Sequence, residues 1–138
     1  MTELPREGPL PRPGGPDEGR EMLRSEAIPA PDTQRVLLRG TEFSSVCPRT
    51  GQPDFGRVTI EYAPRDLCIE SRALKFYLWS FREEGAFCES LAARIADDVV
   101  YAIDPVWVRV DVHQDVRGGI EIVARAERGQ ATDGNGPV

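Results

Sequence analysis

Between positions 36 and 124 the apolar residues recur with two periods. Val58, Ile60 and Tyr62 alternate with Thr59 and Glu61, and Val106, Val108, Val110 and Val112 alternate with Trp107, Arg109, Asp111 and His113. A half-buried strand repeats in this way, every second residue. Val36 to Val46 reads as extended, Pro64-Arg65-Asp66 as a turn and Leu67 to Ile69 as a short strand. The period then lengthens. Leu74, Tyr77, Leu78 and Phe81 follow Ser71, a good helix N-cap, at helical spacing. Gly85 separates this helix from a second over Ala86 to Ala102, with Phe87, Cys88, Leu91, Ala92, Ile95 and Val99 on one arc and Arg94, Asp97 and Asp98 on the other. That helix stops before Pro105. Arg117-Gly118-Gly119 turns the valine strand back into Ile120 to Ala124.

Strands, two helices and a closing hairpin predict an α+β fold: an antiparallel sheet with both helices packed on one face. The opposite face has to find another cover or stay wet. His113 falls there, where a surface residue is expected. Open sheet edges on so small a body predict edge-to-edge assembly into a ring oligomer. Residues 1–33 are rich in proline, glycine and charge and lack periodicity, which predicts a disordered N-terminal tail. Residues 34–126 form the expected domain, and 127–138 a flexible C-terminal tail.

Composition narrows the function. A chain of 138 residues with 40% hydrophobic and 29% charged content has room for one domain. Its formal charge of -6 argues against nucleic acid as a partner, since phosphates call for a positive surface. No apolar run reaches the length of a membrane span, and the acidic N-terminus does not have the form of a secretory signal. Cys47, Cys68 and Cys88 are odd in number, which favours free thiols in a cytoplasmic setting over a disulfide framework. One histidine and scattered cysteines make no recognisable metal-ligand set.

Three segments could carry chemistry. In Ser44-Ser45-Val46-Cys47-Pro48-Arg49-Thr50-Gly51-Gln52-Pro53-Asp54 a cysteine at a strand end is followed by a tight loop that returns an aspartate. This suits a nucleophilic thiol with Asp54 handling protons. It equally suits a structural cysteine before a turn. Arg72, Lys75, Trp79 and Arg82 share one helical face, three cations around an indole, and fit either phosphates with a planar ring or a solvated face. In Phe87-Cys88-Glu89 the glutamate stands at the margin of the apolar arc. It could meet a ligand's N–H groups from a half-buried position, or simply favour the helix dipole.

Together, Cys47-Pro-Arg-Thr-Gly-Gln-Pro-Asp54, Glu70-Ser71-Arg72-Ala73-Leu74-Lys75 and Arg117-Gly-Gly resemble the unimodular 7-cyano-7-deazaguanine reductases, across most of residues 40 to 124. The resemblance implies the tunnelling fold, NADPH as cofactor and reduction of a nitrile to an aminomethyl group in queuosine biosynthesis for tRNA modification. It makes Cys47 the nucleophile that forms a thioimide and Asp54 the proton carrier. Glu89, with Phe87, Cys88, Glu70 and Ser71, would bind the substrate, and Arg72, Lys75 and Arg117 the cofactor phosphates. The pocket would lie at a subunit boundary, with Cys47 and Glu89 on different chains. Two positions depart from the family pattern, which has lysine at Arg72 and histidine at Cys88. Two alternatives stand beside the reductase. One is a sibling resembling the amidinotransferases, which add ammonia to the captured nitrile. The other is a deazapurine-binding module silenced by Cys88.

Overall fold

The computed structural model describes residues 3–130. In chain order the elements are α1 (Pro16–Ser25), β1 (Ile28–Pro29), β2 (Val36–Val46), β3 (Pro53–Ala63), β4 (Leu67–Cys68), α2 (Ser71–Trp79), α3 (Cys88–Ile103), β5 (Trp107–Arg117) and β6 (Ile120–Gly129). The long strands form an antiparallel sheet in the order β2-β3-β5-β6, and β1 pairs with β4 in a small second sheet. The α+β architecture with two helices against the sheet is as the periodicity implies: α2 packs on β2, and α3 on β5 and β6.

The core follows from the alternation. Val58, Ile60 and Tyr62 from β3 and Val108, Val110 and Val112 from β5 are at most 2% exposed and face the buried arcs of the helices. Residues Leu91, Ala92, Ile95, Ala96 and Val99 supply the α3 side of that contact. Burying a side chain of this size contributes about 1.5–3 kcal/mol each.

Five expectations need correction. Residues 16–25 do not form part of a disordered tail: α1 lies across α2 and α3 as a third layer, burying Met22 and Leu23. Its contact surface includes Gly19, where an added Cβ would stand 2.6 Å from Ser80 Oγ and 3.2 Å from the Tyr77 backbone. Close approach thus requires glycine, and glycine hides the helical period from a hydrophobicity count. Leu4 is buried as well, its N–H donating to Glu26 at 2.7 Å. At the other end β6 runs to Gly129, past the expected boundary at 126, and the rest of the C-terminal tail from 131 lies outside the described residues.

The N-cap of α2 is Glu70 rather than Ser71; its carboxylate accepts from the Ala73 N–H at 2.8 Å. Asp98 is not on an outer face. With α1 overhead it is 4% exposed, accepting from Tyr77 Oη at 2.6 Å and from Arg94 Nε at 3.2 Å. Nor is the sheet face away from the helices simply wet. Arg109, Asp111 and His113 are buried among charged neighbours: Arg109 pairs with Glu61, Arg125 with Asp111, and the Arg57 guanidinium lies 3.2 Å from His113 Nδ1. Long side chains lying flat across a sheet cover one another, so a polar strand face becomes dry without a second layer.

Candidate active site

Backbone pairing brings the two cysteine segments together. At the end of β2 the Val46 N–H donates to Glu84 O at 2.9 Å, and the Ala86 N–H donates to Val46 O at 3.1 Å. This parallel bridge sets Cys47 beside the start of α3. The loop after it closes on itself, Cys47 N–H donating to Gln52 O at 2.8 Å and Gly51 N–H to Cys47 O at 2.9 Å. The chain then enters β3 with Asp54 turned toward the helices, 7% exposed.

The hairpin of β5 and β6 supplies the remaining wall. Gly118 and Gly119 have φ of 59° and 80°, the left-handed pair that a tight two-residue turn requires. A register shift between Gln114 and Arg117 precedes it. From this tip Arg117 reaches Asp54 Oδ1 at 2.6 Å and Gln52 Oε1 at 2.8 Å.

These segments enclose a cavity of about 470 Å³, within the range of small-molecule sites. Cys47, Asp54, Phe87, Cys88, Glu89 and Arg117 all line it, and Thr50, Gln114, Ile120 and Ile122 complete its walls. Gln114, Ile120 and Ile122 had no motif to single them out; Thr50 lies within the cysteine motif, three residues after Cys47, but was given no role there. Cys47 and Glu89 both line this cavity on a single chain. Glu89 is exposed rather than half-buried.

The cavity treats its two thiols oppositely. The Thr50 hydroxyl and then the Arg49 and Thr50 backbone N–H groups hold the Cys47 thiol below its ordinary value, against smaller upward pushes from desolvation and Asp54. The Cys88 thiol is pushed up to about 11, first by burial and then by Glu89. Its Sγ–H donates to Val112 O at 3.5 Å.

Glu70, Ser71, Arg72 and Lys75 lie apart from this cavity, at α2. Arg72 pairs with Glu70 at 3.0 Å and also donates to Pro5 O. Burial raises the Glu70 carboxyl, but hydrogen bonds from Ala73 and Arg72 outweigh it and hold the group below the usual range. Lys75, Trp79 and Arg82, joined by Arg39 and Phe55, line a separate groove of about 750 Å³. The cationic face expected of the helix therefore divides: Arg72 is engaged with the N-terminal segment, and the others face the groove.

A half-buried, hydrogen-bond-activated cysteine beside a buried carboxylate, in a cavity walled by a helix start and a hairpin tip, defines a thiol-nucleophile site on an antiparallel α+β scaffold. The family model described as QueF-like protein matches residues 53–133. The NADPH-dependent 7-cyano-7-deazaguanine reductase of Anaeromyxobacter sp. (strain Fw109-5) is 46% identical over 120 residues, covering 86% of this chain and 98% of that protein. The protein of the same name from Granulibacter bethesdensis (strain ATCC BAA-1260 / CGDNIH1) is 41% identical over 125 residues, 89% of this chain and 80% of its own. Among solved structures, the apo archaeosine synthase QueF-Like superposes with a TM-score of 0.69 at 30% identity, covering 73% of this chain and 99% of that one. The chain belongs to the QueF-like family.

Proposed function

We propose that the protein is an NADPH-dependent reductase that converts the nitrile of 7-cyano-7-deazaguanine to an aminomethyl group through a thioimide on Cys47. The observation that carries this reading is the Cys47 loop: a sulfur receiving hydrogen bonds from Thr50 and Arg49 beside Asp54, at the mouth of a cavity of substrate size. Relatives 38% to 49% identical bear the reductase name, and the chain covers nearly the whole length of one of them.

Capture needs no electrons. The Sγ–H adds across the carbon–nitrogen triple bond, forming the sulfur–carbon bond while one proton reaches the nitrile nitrogen. Asp54 stands against the same cavity to relay that proton. Glu89, an exposed carboxylate lining the same cavity, accepts hydrogen bonds from the N–H edge of the heterocycle, and Phe87 lies against its plane. Going on to the amine takes two hydrides and two protons: after the first hydride the sulfur–carbon bond breaks, returning the Cys47 thiol and leaving an imine for the second, and NADPH would supply both hydrides.

The groove of Lys75, Arg82, Arg39, Trp79 and Phe55 suits that cofactor in its chemistry, with cations for phosphates and aromatic faces for a flat ring. It lies apart from the Cys47 cavity, and β2 and β6 leave both sheet edges open. Assembly of chains edge to edge into a ring, in which the α2 groove of one serves the cavity of its neighbour, completes the reading. Residues Glu70, Ser71 and Arg72 take part by holding α2 and its N-terminus in place.

A spectrophotometric assay tests the proposal. Purified protein is expected to oxidise NADPH only when 7-cyano-7-deazaguanine is present, with two cofactors consumed per aminomethyl product. Nitrile-dependent uptake of ammonia without NADPH oxidation would refute it in favour of the amidinotransferase reading. An adduct with neither reaction would favour the silent module.

A further inference from the structure

Two grooves meet at the C-terminal end of α2. The one already described, of about 750 Å³, is lined by the cations Arg39, Lys75 and Arg82 but also by the carboxylates of Glu42 and Glu83. The other, of about 230 Å³, has Arg12 and the segment from Pro13 to Pro16 as one wall. Trp79, Arg82 and Glu83 line both, so the second groove continues the first. At the join, Arg12 Nη2 donates to Glu83 Oε1 at 2.8 Å.

We propose that Arg12 is a specificity-determining residue for the cofactor: it cancels Glu83 and binds the 2′-phosphate that NADPH has and NADH lacks. This rests on the reductase reading above. A phosphate monoester is close to a dianion at neutral pH, and a carboxylate in the groove wall opposes it. With Arg12 against it Glu83 no longer does so, and the guanidinium keeps further N–H donors for phosphate oxygens. The two side chains are 70% and 79% exposed, so their own bond is weak and gives way to a phosphate at little cost. Trp79, shared by both grooves, supplies a flat face for the adenine beside that phosphate. The start of α1 adds little, since its first turn carries Asp17 and Glu18 and the Gly14 N–H already donates to Glu18 at 3.3 Å.

Arg12 is held in place before any ligand arrives. Leu4 is buried, Leu10 packs against the core, and the Pro5 carbonyl accepts from Arg72. Pro9, Pro11 and Pro13 restrict the backbone on either side of the arginine. A cation presented by so restricted a segment loses little freedom on binding.

The experiment uses the full chain as wild type, Arg12→Ala, Arg12→Lys and the double variant Arg12→Ala with Glu83→Gln. Calorimetry compares adenosine 2′,5′-bisphosphate with adenosine 5′-monophosphate, which differ only in the 2′-phosphate. Arg12→Ala is expected to weaken the bisphosphate roughly ten-fold, the lower end for a hydrogen bond between charged groups, and to leave the monophosphate nearly unchanged. Arg12→Lys should recover part of the loss through its charge, and the double variant part of it by removing the uncovered carboxylate. Equal weakening of both ligands, an unchanged affinity for the bisphosphate, or a wild type that does not distinguish the two would overturn the proposal.

Turnover gives a second readout. The KM for NADPH should rise in Arg12→Ala while kcat and the KM for NADH stay as in wild type, and an equal rise in both KM values would count against Arg12 as the discriminating residue. If wild type oxidises neither cofactor, the reductase reading fails, and the calorimetry still decides the role of Arg12.

Discussion

Two thiols line one cavity, and they differ more in chemistry than any sequence pattern around them suggests. Cys47 sits on a loop where a hydroxyl and two backbone N–H groups point at the sulfur. Cys88 opens α3, where a helix dipole ordinarily favours a thiolate. It is nonetheless pushed up to about 11, because it is buried and stands next to Glu89. What a sulfur does depends on whether its neighbours offer hydrogens or lone pairs. Donors make the nucleophile; burial and a neighbouring negative charge make an inert thiol.

The largest test of the contrast removes each sulfur. Cys47→Ala is expected to abolish the covalent adduct with 7-cyano-7-deazaguanine, whereas Cys88→Ala should keep it, both read by intact mass. An adduct that persists without Cys47 would end its assignment as nucleophile.

Next is Cys88→His. A thiol titrating near 11 is a poor proton donor at neutral pH, whereas imidazole titrates close to it. The variant should speed the reductive steps by roughly a hundred-fold or more, the usual worth of a placed acid, with capture little changed. Pre-steady-state rates under reducing conditions, with and without NADPH, would show whether the gain is confined to reduction.

The contrast also has a signature in stability. Cys88 binds its proton more tightly folded than unfolded, so its contribution is intact below the ordinary thiol value and is lost as pH rises toward about 11. Relative to Cys88→Ala, the wild type should lose about 2 kcal/mol across that window. Denaturant titrations of both proteins at pH 7 and at the alkaline end would measure the difference; parallel curves would contradict the environment described for Cys88.

The smallest effect belongs to Thr50→Val, which deletes the first of the hydrogen bonds to Cys47. The pH midpoint of alkylation should move up toward the ordinary thiol value, leaving a several-fold lower rate near neutrality. Cys88 should stay unmodified in the folded protein throughout.

The strands, α2 and α3 were legible because their apolar residues keep strict periods, and the cavity was legible because its residues cluster in short motifs. Cys47, Asp54, Phe87, Cys88, Glu89 and Arg117 do converge. Spatial division of a motif leaves no trace in the order of residues. Arg72 and Lys75 are close in sequence on α2, yet one is tied to Glu70 and Pro5 and the other faces a groove. The helix α1 was hidden by prolines before it and by Gly19 within its contact face. Its absence from the sequence reading then propagated: Asp98 looked like an outward residue only while nothing was known to cover it. His113 and Arg109 failed for another reason, since burial by neighbouring charged side chains has no periodic signature.

The third layer bears on how the polypeptide can be shortened. Residues matched by the family model begin at 53, and the proline-rich stretch before 34 invites removal as a linker. Cutting there would strip Leu4, Met22 and Leu23 from the core and leave Tyr77 and Ser80 with a glycine-shaped hollow open to water. It would also take away Asp17, the partner of Arg94, and Glu21, which accepts from Tyr101 Oη. A trimmed version would thus carry an apolar scar on the side of the molecule away from the sheet. It should precipitate or self-associate through that scar, whatever becomes of the thiol cavity.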